Sequence, residues 1–177
     1  SVVEATLEPI AAKIQGTGVV QAAQTVSIVP EVAGKVISVA KNLQPGGRFL
    51  KGQRLAKIEP ADYRINVVVE ESRLAQADLN VQLEGERQSA AEREWKLLEH
   101  EGDPTELALR KPQMFVAKAN LEAAQAGLDR AELNLKRTEL KAPFNGMVRT
   151  ESLEVGQVVG GAPVVDFIGT DRFWVRV

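Results

Sequence analysis

Cysteine is absent from the 177 residues, and histidine occurs once, as His100. Those absences exclude a disulfide framework, thiolate metal sites and a cysteine nucleophile. They leave the redox compartment open, because a chain without disulfides is stable on either side of a membrane. Aromatic residues make up only 5% of the chain, too few for a compact enzyme with an apolar, aromatic-lined pocket. No apolar run approaches the ~18–20 residues of a membrane span. A formal net charge of −2 carries no electrostatic footprint for nucleic acid. No charged region followed by an apolar stretch opens the chain as a secretory signal would. The chain opens at Ser1 and stops at Val177 inside an apolar alternation. Both ends are read as cuts, with the expectation of a signal or anchor upstream and more β-structure downstream.

Present instead is one pattern written twice. The first copy has Gly34-Lys35-Val36, then Gly47, Gly52, Leu55 and Ile58. The second has Gly146-Met147-Val148, then Gly156, Gly161, Val164 and Phe167. From the second-last glycine onward the spacings are identical. β-leaning residues separated by glycine and proline turns mark both copies as strand-rich. Residues 1–23 carry further strand-like runs broken by Pro9, Gly16 and Gly18.

Between the copies lies a segment rich in strong helix formers. From Asp62 to Glu101 it holds one glycine, Gly85, and no proline. Gly102-Asp103-Pro104-Thr105 interrupts it. Gly102 suits a helix C-terminus, Asp103 an N-cap and Pro104 the first position of a second helix. Pro112 predicts either a kink in that helix or its true start. Met114, Ala117, Leu121, Ala124, Leu128, Ala131, Leu135 and Thr138 recur at alternating spacings of three and four. That is a heptad seam, with Leu121, Leu128 and Leu135 as its large members. The first helix divides between two phases, Leu74, Val81 and Trp95 in one, Leu83, Ala90 and Leu97 in the other. An antiparallel helical pair follows, a rod of roughly 50–60 Å at 1.5 Å per residue.

The expected fold is therefore α+β: a β-sandwich split by a long antiparallel coiled-coil hairpin, with flanking strands. The expected boundaries are N-terminal strands over 1–23, a first β half over 24–60, the hairpin over 61–138, a second β half over 139–169, and a further β module opening at 170–177.

Gly34-Lys35-Val36, Gly52-Gln53-Arg54-Leu55, Lys141-Ala142-Pro143-Phe144-Asn145-Gly146 and Phe173-Trp174-Val175 carry a resemblance. Residues 24–177 resemble the membrane fusion protein family, the HlyD-like periplasmic adaptor subunits of tripartite efflux pumps. The resemblance implies a lipoyl-like β domain split by the hairpin, with residues 1–23 and 170–177 contributing to an incomplete β-barrel. It implies a scaffold and no enzyme, with no cofactor. The expected partners are an inner-membrane transporter, an outer-membrane channel protein and further copies of the chain in a ring, with no nucleic acid. The expected location is the periplasm, anchored to the inner membrane by a segment absent from this chain. Members paired with drug or metal exporters often carry an Arg, a Leu four on and a Ser seven further, near the hairpin tip. Arg93 and Leu97 take the first two places, while Pro104 stands at the third with Thr105 beside it. Arg93, Leu97, Thr105 and Leu109 are the expected partner-binding residues of the tip.

Two other readings compete. A lipoyl or biotinyl carrier presents a lysine on the turn between its halves, but the helices open that turn here, and Lys57 and Lys141 lie on either side of it. A coiled-coil scaffold unrelated to export is the third. The Glu99-His100-Glu101-Gly102-Asp103 cluster has the residue types of a metal site, but one histidine without a helical partner is read as a solvated helix end. Gln44-Pro45-Gly46-Gly47-Arg48 is read as turn chemistry, since it neither opens a helix nor reaches a Gly-Lys-Ser/Thr.

Overall fold

The computed structural model describes residues 16–97 and 103–176. Residues 1–15 of the expected N-terminal strands, the His100 cluster from residue 98 to 102 and Val177 lie outside the described residues.

Ten strands and two helices are described. They are β1 (Val19–Ala22), β2 (Thr25–Ile28), β3 (Gly34–Val39), β4 (Arg48–Phe49), β5 (Arg54–Ile58), α1 (Ala61–Leu97), α2 (Lys111–Arg137), β6 (Glu139–Lys141), β7 (Gly146–Glu151), β8 (Val158–Val159), β9 (Val165–Gly169) and β10 (Phe173–Arg176). Two four-stranded sheets form the body, in the orders β2-β9-β7-β4 and β6-β5-β3-β8. The orders correspond strand for strand across an internal two-fold: β7 and β9 in one sheet stand where β3 and β5 stand in the other. Each half lends strands to both sheets, because the short β4 pairs with β7 and the short β8 with β3. The repeated glycines serve the same purpose in each copy. Gly52 (φ 80°) follows β4 and Gly161 (φ 73°) follows β8, each in a left-handed turn that a side chain disfavours.

The repeat's apolar positions close the core. Leu55, Ile58 and Phe167 have no exposed surface, and Val36, Val148 and Val165 are almost as deeply buried. Phe167 lies at the centre, its ring 6.5 Å from that of Phe49 and 5.5 Å from that of Phe144. Alternate residues of β9 and β7 point inward, as a half-buried strand requires.

The hairpin rises where the two halves meet. The Ile58 N–H donates to the Thr138 carbonyl at 2.8 Å, so the points where the chain leaves and re-enters the sheets are adjacent. The Tyr63 hydroxyl donates to the Ala33 carbonyl at 2.7 Å, and Arg137 pairs with Glu31 at 2.5 Å, so both helices are tied to the loop before β3. The Thr138 hydroxyl donates to the Leu135 carbonyl and satisfies a terminal acceptor of α2.

Two expectations about the helices are corrected. Pro104 does not open the second helix and Asp103 does not cap it: α2 begins at Lys111, with Pro112 in its first turn. Residues 106–110 form turns instead. The Ala108 N–H donates to Thr105 Oγ1, and Arg110 adopts a left-handed conformation (φ 54°) that a continuous helix cannot contain. α2 is therefore 27 residues against 37 for α1, about 40 Å against about 55 Å.

The second correction concerns the two phases of α1. Leu83 and Leu97, of the second phase, are 46% and 81% exposed. Tyr63, Val67, Glu70, Leu74, Ala77, Val81, Glu84, Gln88, Ala91 and Trp95 are buried or half-buried at alternating spacings of four and three, with Gly85 half-buried beside Glu84. The seam is regular, but Glu70, Glu84 and Gln88 occupy places where a coiled coil usually holds apolar residues. Gly127 makes room for one of them: a Cβ there would stand 3.0 Å from Glu70 Oε2.

Candidate functional site: the far end of the hairpin

Towards the far end of the hairpin, where α2 begins, the two segments are held together at Glu84. This carboxylate is 7% exposed, and two cations hold it. Arg110 donates from Nε at 2.5 Å, and Arg87, one turn along α1, from Nη1 at 3.3 Å. The Arg110 hydrogen bond is the largest influence on Glu84 and holds its carboxyl below the usual range; desolvation opposes it, and Arg87 adds to the lowering. The same contact raises Arg110. The pair joins the middle of α1 to the left-handed residue immediately before α2. It thereby fixes where the second helix starts.

Beyond that bridge the two chain segments differ. α1 continues through Arg93 to Leu97, while the opposing segment is the turn of residues 103–110. Arg93 and Leu97 are exposed on the last turns of α1. Thr105 is exposed and holds the turn through its hydroxyl, and Leu109 is half-buried, its N–H bonded to the Thr105 carbonyl at 3.1 Å. Leu107, which the sequence pattern did not single out, is 66% exposed. Leu97 and Leu107 thus present apolar side chains to solvent on the two segments of this end. The seam leucines are at other depths: Leu128 is 9% exposed, and Leu121 and Leu135 are half-buried.

Glu84, Arg110 and Leu107 went unassigned in the sequence. For Glu84 a signal existed, since it falls seven residues after Ala77 and three after Val81. A carboxylate at such a place implies a cationic partner across the seam.

Among the described residues no group of three or more His, Cys, Asp or Glu side chains is placed to hold a metal ion. No helix among them is long and apolar enough to cross a membrane. Where a carrier domain would present its lysine turn, β5 leads into α1 and α2 returns into β6.

A two-fold β-sandwich split by a helical hairpin defines a class, and comparison with known proteins agrees. The family model for the CzcB-like barrel-sandwich hybrid domain matches residues 24–168. Among solved structures, a protein described as an efflux transporter from Bacteroides eggerthii superposes with a TM-score of 0.64 at 24% identity, over 87% of this chain and 42% of that one. A MacA–MexA chimera carrying the Pseudomonas aeruginosa MexA α-hairpin gives 0.63 at 22%, over 89% and 52%. The membrane fusion protein Spr0693 of Streptococcus pneumoniae gives 0.61 at 16%, over 89% and 64%. These likenesses speak to the fold, and the chain spans only 42 to 64% of those relatives' lengths. A comparison with curated protein sequences finds no match. The chain belongs to the CzcB-like barrel-sandwich hybrid family, whose members are membrane fusion or periplasmic adaptor proteins.

Proposed function

We propose that this chain is the hairpin-bearing part of a periplasmic adaptor that couples an inner-membrane transporter to an outer-membrane channel. The relatives described as an efflux transporter and as a membrane fusion protein support this reading. The observation that carries it is Leu97, 81% exposed at the end of a 37-residue helix whose other end is tied to the β body. A side chain so exposed contributes little to the seam within the hairpin. An apolar residue carried to the far end of a rod serves a partner that the rod reaches. Leu97 acts there as a knob for a partner helix bundle, joined by Leu107. Arg93 supplies charge-assisted hydrogen bonds to the partner's carbonyls or carboxylates. Thr105 and Leu109 set the shape of the opposing turn. Several copies act together as a ring around the transported substrate. The protein works as a scaffold in the periplasm, held to the inner membrane by a segment outside this chain.

The test is export in cells carrying the full-length adaptor with Arg93→Asp. Export is expected to be lost while the adaptor's abundance and its co-purification with the transporter stay at wild-type levels. Undiminished export at normal abundance would remove the role assigned to Arg93.

A further inference from the structure

The base of the hairpin holds a second feature, unrelated to the far end. A concave notch of about 270 Å³ lies between sheet and helices, lined by Lys57, Pro60, Arg64, Leu135, Lys136 and Lys141, among others. Four of the eight lining side chains are cationic, against one carboxylate, Glu139, and the four come from four elements: β5, α1, α2 and β6. Register explains the strand contribution. β5 and β6 pair with Arg54 opposite Lys141 and Lys57 opposite Glu139.

Charge does not balance there. Glu139 pairs with Lys141 at 3.1 Å, and Glu132 reaches Lys136 at 3.9 Å. Among the described residues Arg54, Lys57 and Arg64 make no ion pair. In the lining itself four cations, Lys57, Arg64, Lys136 and Lys141, meet one carboxylate, Glu139, an excess of three positive charges on a chain whose formal net charge is −2, and Arg54 and Glu132 stand just outside it. The field is felt inside the cluster. The Lys141 hydrogen bond, foremost, holds the Glu139 carboxyl below its usual range against desolvation, and the charges of Lys141, Lys57 and Arg54 add to it. Lys136 alone is explained by its place at a helix C-terminus, where a cation offsets the helix dipole. Lys57 on a strand and Arg64 at the end of the first turn of α1 have no such explanation. Concentrating like charge in a concave site raises the local concentration of counter-ions.

We propose that this notch binds a phosphate-bearing anion of headgroup size. The volume is below that of drug-sized pockets, which start near 300 Å³. A single carboxylate would duplicate what Glu139 already supplies and leave most of the excess uncompensated. A phosphate offers several oxygens, so Arg64 binds two of them side by side while Lys57 and Lys136 act as point charges from other directions. The phosphate comes either free in solution or on a phospholipid, and the two sources are separable by experiment.

The test uses the 177-residue chain. Calorimetric titration with sodium pyrophosphate at low ionic strength is expected to show saturable binding that weakens as salt is raised. Co-sedimentation with phosphatidylglycerol vesicles, against phosphatidylcholine vesicles, probes the headgroup source. Binding to pyrophosphate supports a soluble ligand, and binding to phosphatidylglycerol vesicles alone supports a headgroup. Lys57→Gln with Arg64→Gln is expected to weaken whichever binding is seen by about tenfold or more. Lys57→Arg, which keeps the charge, and Lys118→Gln, midway along the hairpin, are expected to retain it. Circular dichroism checks that each variant keeps its helical content. Absence of saturable binding to both probes overturns the proposal, as does equal binding by all variants. Either result leaves the docking role of the far end untouched.

Discussion

The β body and the hairpin are stabilised in different ways. The body gathers fifteen buried apolar residues into one cluster, from Val32 to Phe167. Among the described residues the hairpin, with two long helices, buries only Ala77, Leu128 and Ala131 of its apolar residues, and adds the buried carboxylate Glu84. Meanwhile Ile65, Val68, Phe115 and Val116 stay exposed on its outer faces. The body therefore holds itself together through hydrophobic burial, the dominant favourable contribution to folding. The hairpin relies on a narrow seam, an ion pair and its anchorage to the body. Two antiparallel helices cannot bury apolar residues all round. A body with its own buried core and a rod anchored to it suit a scaffold of this kind.

The largest effect is expected in the body. Phe167→Ala removes a ring with no exposed surface at the centre of the core, which should cost about 3–5 kcal/mol. A stability loss of that size moves the unfolding midpoint in denaturant for the whole molecule. If the hairpin were the stabilising region, the midpoint would hardly change. Leu128→Ala comes next. The residue is 9% exposed in a thin seam, so the cost should lie at the lower end of the ~2–5 kcal/mol seen for buried leucines. Its effect should appear as faster hydrogen exchange along both helices, with β7 and β9 amides unchanged. Equal losses of protection in β9 would erase the distinction between the two regions.

The smallest of these effects concerns Glu84. Glu84→Gln should loosen the start of α2, seen as faster exchange over residues 111–116, and leave the base of the hairpin as it was. The pH dependence has a fixed sign. A carboxyl depressed in the fold contributes stability that is complete above its ordinary value, about 4.3, and lost as pH falls through the lowered one. The wild type should therefore approach the variant's exchange only in acid. A difference that grows as pH falls would contradict the assignment.

Legibility in the sequence followed the same division. The body's repeat could be read because identical glycine spacings place Leu55, Ile58, Val164 and Phe167 at corresponding inward positions. The periodicity of α2 was equally plain, since leucines and alanines fill it. The seam of α1 was obscured because a hydrophobic pattern cannot register Glu70 and Glu84, whose burial depends on Gly127 and Arg110 across the seam. The sequence leaves the start of α2 open between Pro104 and Pro112 for a related reason. Pro104 has the right chemistry for a helix start, but the Thr105 turn and the hold of Glu84 on left-handed Arg110 move the start to Lys111. Both points turn on contacts between residues far apart in sequence, which local propensity does not contain.

The most direct measurement removes the hairpin. Lys57 and Glu139 are paired across an antiparallel ladder, and Ile58 bonds to Thr138, so a short turn can replace residues 62–137 without moving either strand. The shortened protein should give a dispersed amide NMR spectrum with slowly exchanging protons in β3, β5, β7 and β9. A collapsed spectrum without protected amides would show that the body depends on the rod, and would contradict the account.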